Sequence, residues 1–150
     1  MIDVGEKDKT QRLARAKAAV KLNKDIIEKI KAKEIPKGDI LEIARVAGIL
    51  AAKKTDSLIP LCHNIELDYV NISFTITPDS VVIESIAKTT AKTGVEMEAI
   101  VAVSIAAATI YDMCKMFSKS IKISDIELIE KRGGKSGHFL KNSESADYID

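Results

Sequence analysis

The sequence predicts an α+β sandwich, with helices packed on one face of an antiparallel sheet. Three observations carry that expectation. Apolar and polar residues alternate over residues 64–77 and 121–130, the period of a half-buried strand. Apolar residues recur at helical spacing after Asn23, after Asp39 and again from about Val95 to Phe117. The segments follow one another as β, α, α, β, β, α, β, which suits an antiparallel sheet with segregated helices better than regular βα alternation.

Residues 10–20 (TQRLARAKAAV) are ambiguous, because Ala and Arg favour helix, while the alternation about Thr10, Arg12, Ala14 and Ala16 favours the strand that we expect. Asn23 can cap a helix whose stripe is Ile26, Ile27 and Ile30 and which should end before Pro36. Asp39 caps the next helix, DILEIARVAGILAAKK, with Ile40, Ile43, Ala44, Ala47, Leu50 and Ala51 on one face. In residues 64–77 the alternation of Ile65, Leu67 and Tyr69 changes phase before Ile72, Phe74 and Ile76, so a bulge is expected near Val70. Pro78, Asp79 and Ser80 form a turn into VVIESIA, the antiparallel hairpin partner. Gly94 and Glu96 open the most apolar helix, IKISDIELIE makes the last strand, and Phe139 and Leu140 are the last apolar pair. The tail from residue 141 is polar and expected to be disordered, which leaves residues 1–140 as one catalytic domain.

Bulk properties restrict the function classes. The 150 residues suit one domain, and a 46% hydrophobic content with no Trp implies a core of Ile, Val, Leu, Ala and Met. The formal charge of +1 gives no global reason to expect a nucleic acid or a membrane surface as partner. Residues 1–60 hold 14 basic against 9 acidic side chains, a mild excess that reads first as a solvated face. Two cysteines, Cys62 and Cys114, form no disulfide framework, and the first ten residues lack the apolar run of a secretory signal, so a soluble, cytoplasmic protein is expected. The uncharged run Ala99 to Tyr111 falls short of the roughly 20 residues that span a bilayer and reads as a buried helix.

Four segments can carry chemistry. LIPLCHN (58–64) places Cys62 and His63 in a connection, where His63 either transfers protons near neutral pH or is satisfied by local backbone. As zinc ligands these two would need Cys114 or His138, and no ligand spacing supports a metal site. KTGVEMEA (92–99) sets Lys92 and free helix N–H groups beside Glu96 and Glu98, which oppose a phosphate there and suit hydrogen-bond acceptors or plain helix-dipole partners. YDMCK (111–115) puts Asp112 and Lys115 on one face of the apolar helix, either as an internal ion pair or as a catalytic acid and base; spacing alone does not choose. KRGGKSG (131–137) is not a Walker A loop, since Ile129 stands where a glycine is required, but Lys131, Arg132 and Lys135 about flexible glycines suit either an anionic ligand or a mobile basic tail. Lys37, with Gly38 and Asp39, stands at a helix entry and has the same two readings.

Fourteen residues separate Glu98 from Asp112, about 21 Å along a helix and some 40° around it. They share a face but not a site. If both serve one centre, the simplest geometry pairs this helix antiparallel with its copy across a two-fold axis.

Taken together, MIDV, TQRLARA, KGDI, ARVAGILAAKKT, LIPLCH, KTGVEMEA, TIYDMCK and KRGGKSGHF resemble the cyclic pyranopterin monophosphate synthases of molybdenum cofactor biosynthesis, in that family's order over residues 1–139. The departures are a short N-terminus and the polar tail after Leu140. The resemblance implies a ferredoxin-like fold, a homohexamer built as a trimer of dimers, and active sites at dimer interfaces. It implies a lyase that converts cyclised dihydro-GTP, with C8 of the base bonded to the ribose, into cyclic pyranopterin monophosphate and pyrophosphate. It places Asp112, Lys115 and Lys131 in the catalytic set, Leu61, Cys62, His63, Met97 and Glu98 at substrate-binding positions, and Arg12, Lys37, Lys53, Glu96 and Lys135 in the pocket. No organic or redox cofactor is implied, and a divalent cation accompanying the triphosphate is compatible with the chemistry.

The residue types suit that reaction. Ring opening and closure need proton transfers, for which Asp112, Lys115 and His63 qualify. Expulsion of pyrophosphate needs cations such as Lys37, Lys131 and Lys135, and the carboxylates of Glu96 and Glu98 can accept from a guanine-like N–H edge. The alternative is a ferredoxin-like RNA-binding module without catalytic activity. It requires exposed aromatics on strands and a basic stripe, which Tyr69, Phe74 and the near-zero charge do not supply.

Overall fold

A computed structural model of the chain describes residues 1–141, and at its centre lies the alanine-rich segment whose sequence was ambiguous. β1 (Thr10–Lys21) is a strand. Ala14, Ala16, Ala18 and Val20 point to one side and are fully or almost fully buried. Their small side chains let a helix approach the sheet closely, which overrides the helix preference of Ala. The other chain elements are α1 (Lys24–Lys31), α2 (Ile40–Ala52), α3 (Thr55–Leu58), β2 (Tyr69–Ile76), β3 (Ser80–Ala91), α4 (Glu96–Cys114), β4 (Lys122–Arg132) and β5 (Phe139–Leu140). The short α3 and β5 are additions to the expected order.

The sheet order is β2-β3-β1-β4-β5, antiparallel throughout. β1-α-β2 and β3-α4-β4 are thus two split βαβ units, the arrangement of a ferredoxin-like sandwich. β1 pairs with β3 without interruption from Thr10↔Ala91 to Lys21↔Ser80. The bulge expected near Val70 is absent: β2 begins at Tyr69 and keeps a regular register with β3, and Val70, Ile72, Phe74 and Ile76 face the core. The change of phase arises because residues 64–68 precede the strand. Irregularity falls instead on β4, where the register against β1 shifts twice and Asp125 adopts a φ of 55°.

Asn23 caps α1 through a bond from the Ile26 amide (3.0 Å), and Asp39 caps α2 through the Glu42 amide (3.3 Å). The expected stripe of α2 is only half right. Ile40, Ala44 and Ala51 are buried, but Ile43 and Leu50 are exposed, and Gly48 makes the inner contact. A methyl group at Gly48 would stand 2.2 Å from Ile72 Cδ1 and 2.7 Å from the Ala102 carbonyl oxygen, so α2 meets α4 nearly backbone to backbone. Ile43, Val46 and Leu50 turn outward as a consequence.

α4 spans 19 residues and is apolar enough to cross a membrane by length and composition. It is a core helix: Ala99, Ala102, Val103, Ala106, Ala107 and Ile110 are inaccessible, and they pack over β1, β3 and β4. The opposite face of the sheet is polar, with Arg15–Glu84 and Lys17–Glu127 pairs at 2.8 Å, so one face alone carries helices. The expected disordered tail lies, from residue 142, outside the described residues.

Candidate active site

The expected site residues gather at the two ends of α4. At its N-terminal end, the loop after α3 brings Leu61, Cys62 and His63 against Glu96, Met97 and Glu98 of the first turn, around a cavity of about 280 Å³. Glu98 is 4% exposed, and burial raises its carboxyl pKa, with Glu96 and Asp56 adding like-charge repulsion. No cation bonds to it among the described residues. A buried acid without a counter-ion, opening onto a cavity, is the pattern of a ligand-binding acceptor.

Glu96 has a different environment. Lys131, at the end of β4, donates to it at 2.7 Å, so one carboxylate of the pair is already neutralised and its neighbour is not. Arg12 approaches from β1, where its Nη2 donates to the Lys92 carbonyl oxygen at 3.4 Å. Its Nε is buried without a partner among the described residues. The glycines of KRGGK fit around this side chain. A methyl group at Gly134 would come within 2.1 Å of Arg12 Nη1, and Gly133 and Gly134 hold φ values of 94° and 80°. Arg12 and Lys135 line a second cavity of about 480 Å³, with Lys7 on its wall.

Cys62 is raised in pKa by burial first and then by Glu98 and Asp56, so it is a thiol at neutral pH. Burial alone lifts Cys114 to about 11, which makes it a packing residue. Among the described residues no group of three or more His, Cys, Asp or Glu stands close enough to hold a metal ion.

At the other end of α4, Asp112 receives Lys115 at 2.7 Å and Lys37 at 2.8 Å. Lys115 is the C-cap of the helix, and Lys37 comes from the loop ahead of α2. The expectation of a buried pair is corrected. Both groups are exposed, because they lie on the outward side of the last turn of α4, whose inner side buries Met113 and Cys114. The shift nevertheless occurs, through charge and hydrogen bonding: Lys115 first and Lys37 second hold Asp112 at about 2, and Asp112 raises Lys115 in return.

Glu98 and Asp112 lie about 21 Å apart on the helix. Their similar azimuth hides a difference of surroundings, since Glu98 is buried among loops and Asp112 is in the open. Because Lys37 reaches Asp112 while Gly48 meets Ala102 and Ala106, α2 runs antiparallel to α4. Lys53, its exposed C-cap, therefore belongs to the Glu98 end, although no bond ties it to that cluster.

Sequence reasoning missed the N-terminal arm and Asp56. His63 Nε2 lies 2.8 Å from the Ile2 carbonyl oxygen, which can only accept, so Nε2 carries the proton. Asp56 accepts from Asn64 at 2.7 Å and adds charge beside Glu98. Neither contact has a spacing signal, because each joins a loop to a residue brought near only by folding.

Comparison with known proteins shows the family. The MoaC family model matches residues 1–134. A protein of Heliobacterium modesticaldum named cyclic pyranopterin monophosphate synthase is 52% identical over 94% of this chain and 90% of its own length. Proteins of the same name from Desulfitobacterium hafniense and Peptoclostridium acidaminophilum are 51% and 50% identical, covering 94% and 95% of the chain and 87% and 91% of their own lengths. With a match over most of its length and relatives at half identity, the chain belongs to the MoaC family.

Proposed function

We propose that the chain acts as a cyclic pyranopterin monophosphate synthase, a lyase of molybdenum cofactor biosynthesis. The substrate is cyclised dihydro-GTP, and the products are cyclic pyranopterin monophosphate and pyrophosphate. The observation that carries this reading is the division of the family's charged residues between the two ends of α4: Glu96, Glu98, Lys131 and Arg12 at one, and Lys37, Asp112 and Lys115 at the other.

One complete site then requires two chains. Two copies of α4 running antiparallel across a two-fold axis bring Glu98 of one beside Asp112 of the other, and isologous pairing makes two such sites per dimer. Support comes from the outer helical surface, where Ile43, Val46 and Leu50 of α2 and Ile105 of α4 are exposed. Three dimers give the homohexamer, in the cytoplasm, with residues 1–140 as one catalytic domain.

The chemistry follows from protonation. Glu98 and Glu96 accept from the guanine-like edge, and Leu61 and Met97 pack against the ring system. Asp112 is ionised far above its pKa, so its main work is to hold the ammonium groups of Lys37 and Lys115. Lys115, raised in pKa, stays charged and can donate a proton or stabilise negative charge. His63 leaves Nδ1 available for proton transfer. Lys135, Lys53 and Arg12 neutralise the phosphates, beside a Lys131 that Glu96 also holds; attack by a sugar hydroxyl on the α-phosphorus, its proton passing to a base such as His63 Nδ1, displaces pyrophosphate into this cationic surface. No organic cofactor takes part, and a divalent ion can enter with the triphosphate.

Incubation of the purified protein with cyclised dihydro-GTP tests the reading by following pyrophosphate and pterin product. Turnover is expected. An inactive wild-type protein, folded and oligomeric, overturns it.

A further inference from the structure

The first nine residues carry no regular secondary structure, yet they lie across the candidate site. Ile2 and Val4 form a wall of the cavity that holds Leu61, Cys62, His63, Met97 and Glu98. Two side chains of the site hold the arm by its backbone. His63 Nε2 is 2.8 Å from the Ile2 carbonyl oxygen, and Lys92 Nζ donates to the Gly5 carbonyl oxygen at 2.6 Å. Lys92 leads into α4 and His63 ends the LIPLCH loop, so the arm is placed by the segments that form the cavity.

The consequence is the position of Lys7. It lines the 280 Å³ cavity with Glu98 and also the 480 Å³ cavity with Arg12 and Lys135. Lys7 thus stands where the two cavities meet. The first offers carboxylates, which suit the donor edge of a base. In the second, Lys7, Arg12 and Lys135 outnumber Glu6 and Asp8 by three to two, which leaves an excess of positive charge. No carboxylate among the described residues pairs with Lys7 within salt-bridge distance, whereas Lys131 at the same end is already bound to Glu96. An ammonium on a four-carbon stem, unpaired and on a backbone fixed at Ile2 and Gly5, is well placed to meet an anion spanning the two cavities.

We infer that the N-terminal arm is a working part of the substrate site and that Lys7 binds the phosphate chain of a nucleotide-derived substrate. This inference rests on the lyase reading, and it adds a residue from a segment with no assigned role. A ligand extending from base edge to phosphates passes Lys7 on its way from Glu98 to Arg12 and Lys135. The role assigned to the group is binding, since it shares a cationic cavity with Arg12 and Lys135.

Steady-state kinetics of the oligomeric protein separate the two claims. If the wild type turns over the substrate, Lys7→Gln is expected to raise KM about tenfold or more while kcat changes less than about twofold, and Lys7→Arg should recover most of the loss. Calorimetric titration with inorganic pyrophosphate, which needs no turnover, should show a similar weakening for Lys7→Gln. Unchanged KM and unchanged pyrophosphate affinity in Lys7→Gln, with an active wild type, overturn the role of Lys7 and leave the lyase intact. Absence of wild-type turnover overturns the lyase reading instead.

Discussion

Lys37 Nζ lies 2.8 Å from Asp112 Oδ2 and 3.3 Å from the Asp112 carbonyl oxygen, so the loop ahead of α2 is tied to the last turn of α4 by one ammonium group. With Lys115 at 2.7 Å on the other carboxylate oxygen, Asp112 is enclosed by two cations in the open. Asp112→Asn keeps the shape and removes the charge that gathers them. Turnover should fall about a hundredfold or more, while Tm moves by no more than about two degrees, because exposed ion pairs add little stability. Since Asp112 sits at about 2, wild-type kcat should show no titration of this group between roughly pH 5 and 8. Stopped assays across that range, with thermal melts of both proteins, check the expectation.

The separation of Glu98 from Asp112 predicts complementation. Mixed in equal amounts and reassociated, inactive Glu98→Gln and Asp112→Asn chains should form half hybrid dimers, each with one intact site. Activity should return to about a quarter of the wild-type value. Failure of any recovery, with hybrid formation verified by mass, counts against the shared site.

Glu98 predicts a conflict between activity and stability. Burial raises its pKa in the folded chain, with Glu96 and Asp56 acting in the same direction. A raised carboxyl favours folding below its unfolded pKa, and that contribution is lost as pH rises through the folded pKa. Glu98→Gln cannot ionise, so its Tm should exceed that of the wild type by a few degrees near about pH 8 and by little near about pH 4. Its activity should fall with the lost acceptor. A wild-type Tm advantage at the higher pH is the contrary result.

Gly48 predicts a purely structural effect. Its added methyl group meets the Ala102 carbonyl oxygen at 2.7 Å, and backbone cannot yield as a side-chain tip can. Gly48→Ala should destabilise the chain by about 1–3 kcal/mol, read by denaturant unfolding, with kcat per folded site unchanged.

Much of the fold is legible in local pattern. The Asn23 and Asp39 caps, the stripe of α1, the hairpin about Pro78 and the apolar run of α4 each depend on residues a few positions apart, and periodicity and turn chemistry report such relationships directly. The family motifs likewise bring in Arg12, Glu96, Glu98 and Lys131, which the structure gathers at one end of α4. Composition alone leaves β1 open, because alanine favours a helix locally and only the packing of α4 over Ala14, Ala16 and Ala18 makes it a strand.

Other features depend on distance in space. Whether an apolar side chain of α2 faces in or out is set by Gly48 against α4, which no helical wheel records, so periodicity alone puts Ile43 and Leu50 on the wrong side. Asp112 and Lys115 look buried in the sequence because their neighbours are apolar, but Met113 and Cys114 take the inner side of the last turn and leave these two on the outer side. Short-range pattern in the sequence carries the family motifs, the order of the main elements without α3 and β5, and the residue types available for catalysis. Only the tertiary structure decided which charges meet: Lys37 with Asp112, Lys131 with Glu96, and the N-terminal arm with His63 and Lys92. Such pairs join residues 35 to 87 positions apart, whose approach is set by packing of the whole core.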